Sequence, residues 1–192
     1  MNLPVRVPRS ILKALALAGT AILLPSAALA APAMTAGPAL ASAPAPPHRC
    51  STASLEVWLG LGPGGAALGS TFYPLEYSNV THHACRLSGS QRVSALSASG
   101  KRIGRAADGP KGHVIILQPG GTAHAILQVG DAGIRHGCRL VTARGLRVFP
   151  PGRRRPAEIF GFSFQACRNR GISVLGLGPA RPGTGVPGLT RS

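Results

Sequence analysis

Four cysteines constrain this chain more than any other feature: Cys50, Cys85, Cys138 and Cys167. They are even in number, widely spaced, and contain no Cys-x-x-Cys pair. All four follow a segment with the pattern of an export signal. In an oxidising compartment such a set reads as two structural disulfides, not as zinc or redox chemistry. Three pairings exist, and the sequence alone does not rank them. Sequence-neighbour closure, Cys50–Cys85 and Cys138–Cys167, is the expectation carried forward. Closing loops of about 30–35 residues would contribute roughly 3.5–4 kcal/mol each.

Residues 1–30 follow the three-part grammar of a secretory signal peptide. Arg6, Arg9 and Lys13 form a positive first region, Ala14 to Leu24 is an uncharged apolar run, and Ala28-Leu29-Ala30 supplies an A-x-A cleavage site. The apolar run is too short to span a bilayer, which takes about 20 residues, and no transmembrane segment is expected in the mature chain. No cysteine follows the cleavage point, so no lipid anchor is expected, and no paired arginines mark the twin-arginine route. The expectation is a protein exported by the general secretion route, secreted or held in the cell envelope.

Beyond the signal, residues 31–49 are rich in Ala and Pro and read as a disordered linker. Residues 179–192, with Pro179, Pro182 and Pro187, read as a flexible tail. The domain is placed at residues 50–178, long enough to bury roughly two thirds of its surface. Within it the apolar runs are short and punctuated by Gly, Pro, Asn and Ser. Leu55, Val57 and Leu59 alternate with Glu56 and Trp58, and Ala123, Ala125, Leu127 and Val129 alternate with His124 and Gln128. Val114 to Leu117 is apolar throughout and stops at Pro119-Gly120-Gly121. No long stretch holds a helical period. The fold class expected is all-β: a single antiparallel β-sandwich of about eight or nine strands. It is not an antibody-type domain, since Trp58 follows Cys50 too soon.

Charge is strongly one-sided. Without the three basic residues of the signal, 18 of the 21 remain against five acids, a net charge near +13. A basic chain of this kind suits anionic partners such as wall polymer or a membrane surface. Most arginines are scattered, and only Arg153-Arg154-Arg155 forms a run, between Pro151 and Pro156. This run is the expected centre of any anion binding. Aromatics are not interleaved with basic residues as single-strand binding requires, so no nucleic acid is expected.

The remaining motifs carry little chemistry. Gly60-Leu61-Gly62-Pro63-Gly64-Gly65 matches G-x-G-x-x-G, but Pro63 and Gly69 leave no room for the helix a dinucleotide site needs. It reads as an inter-strand loop. His82-His83 is the one candidate metal handle, without an H-x-H, H-E-x-x-H or copper-type ligand set to support it. Of the five acids, Glu56 and Glu76 would suit a glycosidase only across a cleft. Asp131 with His113, His124 or His136 would need a nucleophile that no G-x-S-x-G elbow supplies. No catalytic residue and no cofactor are expected. Asn79-Val80-Thr81 is a glycosylation sequon.

An ordered set of motifs resembles a known family. Cys50, Leu-Gly-Pro-Gly-Gly-Ala-Ala-Leu-Gly-Ser-Thr-Phe-Tyr-Pro-Leu at 61–75, Asn79 and Cys85-Arg-Leu open it. Val-Ser-Ala-Leu-Ser-Ala-Ser-Gly at 93–100, Ala-His-Ala-Ile-Leu at 123–127, Asp131-Ala-Gly, Cys138, Gly-Leu-Arg-Val-Phe-Pro-Pro at 145–151, Gln-Ala-Cys at 165–167 and Leu-Gly-Pro at 177–179 complete it. Together they resemble the actinobacterial "domain of unknown function 4232" family over residues 50–179. Ser88 to Arg92 departs from the Gly-Tyr-Pro turn usual there. The resemblance implies an exported immunoglobulin-like β-sandwich with no assigned activity, so no functional residues carry over.

The function expected is therefore a non-catalytic extracytoplasmic module, structural or ligand-binding. The rivals are a metal-handling protein using His82 and His83, an electrostatic binder of anionic wall polymer or lipid centred on Arg153 to Arg155, and a wall-directed hydrolase.

Overall fold

The computed structural model describes residues 45–61 and 65–186. The expected signal peptide, residues 31–44 of the linker and the last six residues lie outside the described residues. Twelve strands follow one 3-10 turn, Thr52–Ser54: β1 Leu55–Leu59, β2 Ala66–Ala67, β3 Ser70–Asn79, β4 Cys85–Gly89, β5 Arg92–Leu96, β6 Arg102–Asp108, β7 Gly112–Leu117, β8 Thr122–Gly130, β9 Leu140–Phe149, β10 Ala157–Cys167, β11 Leu175–Leu177 and β12 Arg181–Pro182.

They form an antiparallel sandwich. The first sheet runs β1-β3-β8-β11, with β2 paired to β3 and β12 paired to β8. The second runs β10-β9-β5-β6, and β4 and β7 make a separate pair. Period-two alternation sends one set of side chains inward from each sheet. Leu75, Tyr77, Ala125 and Leu127 come from the first sheet, and Val93, Ala95, Leu146 and Val148 from the second; all are 3 % exposed or less. Two segments tie the sheets together at their edges. Between β6 and β11 the chain is shared: Arg105 donates its N–H to Ile172 O at 2.9 Å, and Gly130 donates to Val174 O at 2.7 Å. At the other edge Thr52 Oγ1 donates to Arg155 O at 2.7 Å.

Both expected disulfides are formed, Cys50–Cys85 with Cα atoms 4.9 Å apart and Cys138–Cys167 at 5.1 Å. The first fixes the chain entering β1 against β4; the second fixes the start of β9 to the end of β10. Buried polar side chains hold the rest. The Tyr77 hydroxyl hydrogen-bonds Gln91 Oε1 inside the core, and Gln91 Nε2 donates to Gly178 O at 2.6 Å. Asn79 is 1 % exposed. Its Nδ2 donates to Leu117 O, Gln118 O and His83 O while its Oδ1 accepts from Thr81. The sequon asparagine thus closes a turn inside the fold.

Three details differ from expectation. Among the described residues twelve strands stand where about eight or nine are expected, because β2 and β12 have two residues each and β4 offers only Cys85 and Leu87 as an alternating pair before Ser88-Gly89. The linker ends earlier than residue 49: Arg86 donates to His48 O at 2.8 Å and accepts from Cys50 N at 3.0 Å. The tail beyond 178 is docked as far as Val186. Ala180 is buried, Arg181 and Pro182 pair with His124 and Ala123, and Gly183 donates to Thr122 O at 2.9 Å. Its prolines and glycines suit a bent strap that supplements a sheet edge, a role with no hydrophobic period to betray it.

Candidate anion-binding face

Because Val93, Ala95, Leu146 and Val148 point into the core, their neighbours Arg92, Ser94, Arg147 and Phe149 point outward from the second sheet. Register places Arg92 between Phe149 and Asp108, and Arg147 between Ser94 and Glu158. Arg102 stands opposite Leu96, four residues further along β5 than Arg92, or about 13 Å along the strand.

At that far end Arg102, Gly104, Arg147, Arg168 and Arg170 line an open depression of about 560 Å³. Gly104 permits this closeness. Its φ is +63°, and a Cβ there would lie 2.6 Å from Cys167 O and 2.8 Å from Ile172 O. Only a glycine lets β6 lie against the turn that carries Arg168 and Arg170. The Cys138–Cys167 disulfide pins the same turn. Arg147 is oriented by two contacts, donating to Glu158 Oε1 at 2.8 Å and from Nη2 to Gly100 O at 3.1 Å. Arg102, Arg168 and Arg170 have no side-chain partner among the described residues. Four guanidiniums therefore face one carboxylate, and three keep all their donors free. Guanidinium forks of this kind match phosphate and carboxylate oxygens in pairs.

At the near end Arg92, Asp108, Phe149, Arg153 and Arg154 share a second depression of about 380 Å³. The hydrogen bond and charge of Asp108 raise the Arg92 guanidinium above its usual pKa. Both partners are more than half exposed, so the pair adds little stability. Arg153 and Arg154 of the run line this depression, with Arg153 N–H donating to Pro150 O at 2.9 Å, whereas Arg155 turns its carbonyl to Thr52. The denser cluster lies at the opposite end. No linear signal announced it, because positions 102, 147, 168 and 170 meet only through strand pairing; Arg168-x-Arg170 beside a bridged cysteine was the one local hint.

The other candidates stay apart. His82 and His83 are exposed in a turn, their neighbour Cys85 is bridged, and among the described residues no three His, Cys, Asp or Glu side chains gather as a metal site. Glu56 and Glu76 lie on adjacent strands of one sheet face, opposite Ser78 and Trp58, not across a cleft. Asp131 Oδ1 accepts from Gly133 N at 2.7 Å, closing its own turn. Residues 62–64 of the G-x-G-x-x-G motif lie outside the described residues, and Gly65 is followed by the two-residue strand β2 where a dinucleotide site would need a helix.

The chain matches the family described as "Domain of unknown function (DUF4232)" over residues 50–175 and belongs to it. No curated protein and no solved structure matches it.

Proposed function

We propose that this DUF4232 member is an exported, non-catalytic β-sandwich module that holds anionic groups of the cell envelope on the outer face of its second sheet. The depression formed by Arg102, Arg147, Arg168 and Arg170 carries this reading. Two formed disulfides, an N-terminal segment with signal grammar and a net charge near +13 support it. No helix among the described residues is long and apolar enough to cross a membrane.

The binding it describes is electrostatic. Exposed guanidiniums act over a screening length of about 8 Å at physiological salt, so attraction comes from several arginines acting together and weakens steeply as salt rises. Orientation comes from Arg147, the member of the cluster whose guanidinium is held by side-chain contacts among the described residues. The test is retention of the mature protein on a polyphosphate resin from low to high salt. The R102S/R168S/R170S variant is expected to elute at clearly lower salt than wild type. Equal elution of the two would overturn the assignment.

A further inference from the structure

The end of the sandwich that carries Arg168 and Arg170 also bears two protruding apolar side chains. Leu68 is fully exposed and has a φ of +42°. Leu68 and Gly69 form the turn between β2 and β3, a place where glycine or asparagine is the usual choice. A bulky apolar residue in left-handed backbone is both strained and wet, a combination that points to a role outside the folded monomer. Ile134 is 64 % exposed on the loop after β8. A Cβ built on Gly69 would lie 3.2 Å from Ile134 Cδ1, so the two turns adjoin. Behind them lies an open groove of about 480 Å³, lined by Tyr73, Val129, Ala132 and Phe164. Its floor is stiffened by the ring contact of Tyr73 on Phe162, 5.0 Å between centroids.

The surroundings are basic. Arg135 and Arg139 are exposed on the same loop as Ile134, and the Cys138–Cys167 bridge brings that loop to Arg168 and Arg170. Asp131, the acid on that loop, has one carboxylate oxygen engaged by Gly133 N. Apolar tips with cations on the same loop and on the turn bridged to it match the interface of an anionic bilayer. The alkyl groups enter the acyl boundary while the guanidiniums stay at the phosphate level.

We infer that this end docks on an anionic lipid bilayer, with Leu68 and Ile134 inserted and Arg135, Arg139, Arg168 and Arg170 on the headgroups. This deepens the electrostatic reading and rests on it, naming the bilayer as the partner.

The experiment compares wild type, L68S/I134S and R102S/R168S/R170S by sedimentation with neutral phosphatidylcholine vesicles, phosphatidylglycerol-containing vesicles and polyphosphate resin. Wild type is expected on the anionic vesicles and not on the neutral ones. L68S/I134S should bind anionic vesicles roughly tenfold or more weakly, the factor that about 1.4 kcal/mol of lost apolar burial gives, while its elution from polyphosphate is unchanged. Both residues are exposed, so its melting temperature stays at the wild-type value and folding does not confound the result. Anionic-vesicle binding equal to wild type in L68S/I134S overturns the insertion and leaves the electrostatic reading standing. So does retention on polyphosphate without vesicle binding, which would leave these tips for a protein partner. Loss of wild-type retention on both supports overturns both readings.

Discussion

The two outer faces of the sandwich are treated in opposite ways. On the first sheet the outward row of β3 contains Glu76, which is fully buried. The strap beyond β12 covers it: Gly185 N–H donates to Glu76 Oε1 at 2.7 Å, and Thr184 Oγ1 donates to the same oxygen at 3.2 Å. His124 Nδ1 lies 2.9 Å from Gly183 O. Below the strap Trp58 Nε1 donates to Ser78 Oγ at 3.2 Å, and Ser78 and Thr122 share a hydroxyl contact at 3.0 Å. The fit demands glycine. A Cβ on Gly185 would sit 2.7 Å from the His124 ring, and one on Gly60 would sit 2.6 Å from Val186. On the second sheet the arginines face solvent, and three of the four in the main cluster find no side-chain partner among the described residues. The strap closes one face, although Glu76 Oε2 beneath it has no hydrogen-bond partner among the described residues. The other face keeps Arg102, Arg168 and Arg170 open to solvent, and the proposed binding rests on that difference in cover more than on total charge.

Variants separate the two faces, and the largest expected effect comes from the bridge that shapes the open one. Replacing Cys138 and Cys167 with Ala should cost about 2–5 kcal/mol and release Arg168 and Arg170 from Arg102. Both a lower melting temperature and weaker polyphosphate retention are expected. Normal retention in a destabilised variant would show that the cluster does not depend on that turn.

Next is the covered face. Ending the chain after Pro182 removes the Gly185 and Thr184 donors to Glu76, the Gly183 N–H bond to Thr122 O and the Val186 side chain seated over Gly60. Water replaces the donors, so the net loss of hydrogen bonds and apolar cover is about 1–3 kcal/mol, seen in chemical denaturation. Polyphosphate elution should not move. A shift in elution would mean that the strap, not the second sheet, contributes to binding.

A smaller effect is expected in the core between the faces. Burial holds the Tyr77 phenol well above its usual pKa of 10.0. Below pH 10 folded and unfolded chains both keep that proton. Above it the unfolded chain releases the proton and the folded one retains it, so stability falls as pH rises. Tyr77→Phe should cost about 1–2 kcal/mol at neutral pH, by leaving Gln91 Oε1 unpaired, and should flatten the decline above pH 10. A slope equal to wild type would place the alkaline transition elsewhere.

The smallest stability change belongs to the open face. R102S/R168S/R170S should alter stability by no more than about 0.5 kcal/mol while its anion retention falls, so its unfolding curve overlays that of wild type. A large destabilisation would show that these arginines serve the fold.

How much of this was legible before the structure differs by element. Leu55, Val57 and Leu59 alternate cleanly and form β1, and the stretch from Ala123 to Val129 lies within β8, because packing on one side imposes period two. Val114 to Leu117 read as apolar throughout, yet Val114 and Ile116 are 60 % and 44 % exposed, since β7 pairs with β4 alone. Ile172 to Leu177 has the apolar content of one strand, but its first three residues cross between sheets and only Leu175–Leu177 form a ladder. The neighbour pairing of the cysteines is formed, although sequence alone does not rank the three pairings. The strap and the four-arginine cluster are hard to read in the sequence for one reason. Each is made mainly by contacts between residues tens of positions apart, and Arg168-x-Arg170 is the one local trace of either.

Hydrogen–deuterium exchange with and without a soluble polyphosphate tests the central claim most directly. It reads both faces of the unmodified protein at once. Slowed exchange is predicted at the start of β6, in the second half of β9 and in the turn after Cys167, with β1, β3, β8 and the strap unchanged. Slowing on the first sheet, with the second sheet unaffected, would contradict the assignment of the arginine face as the working surface.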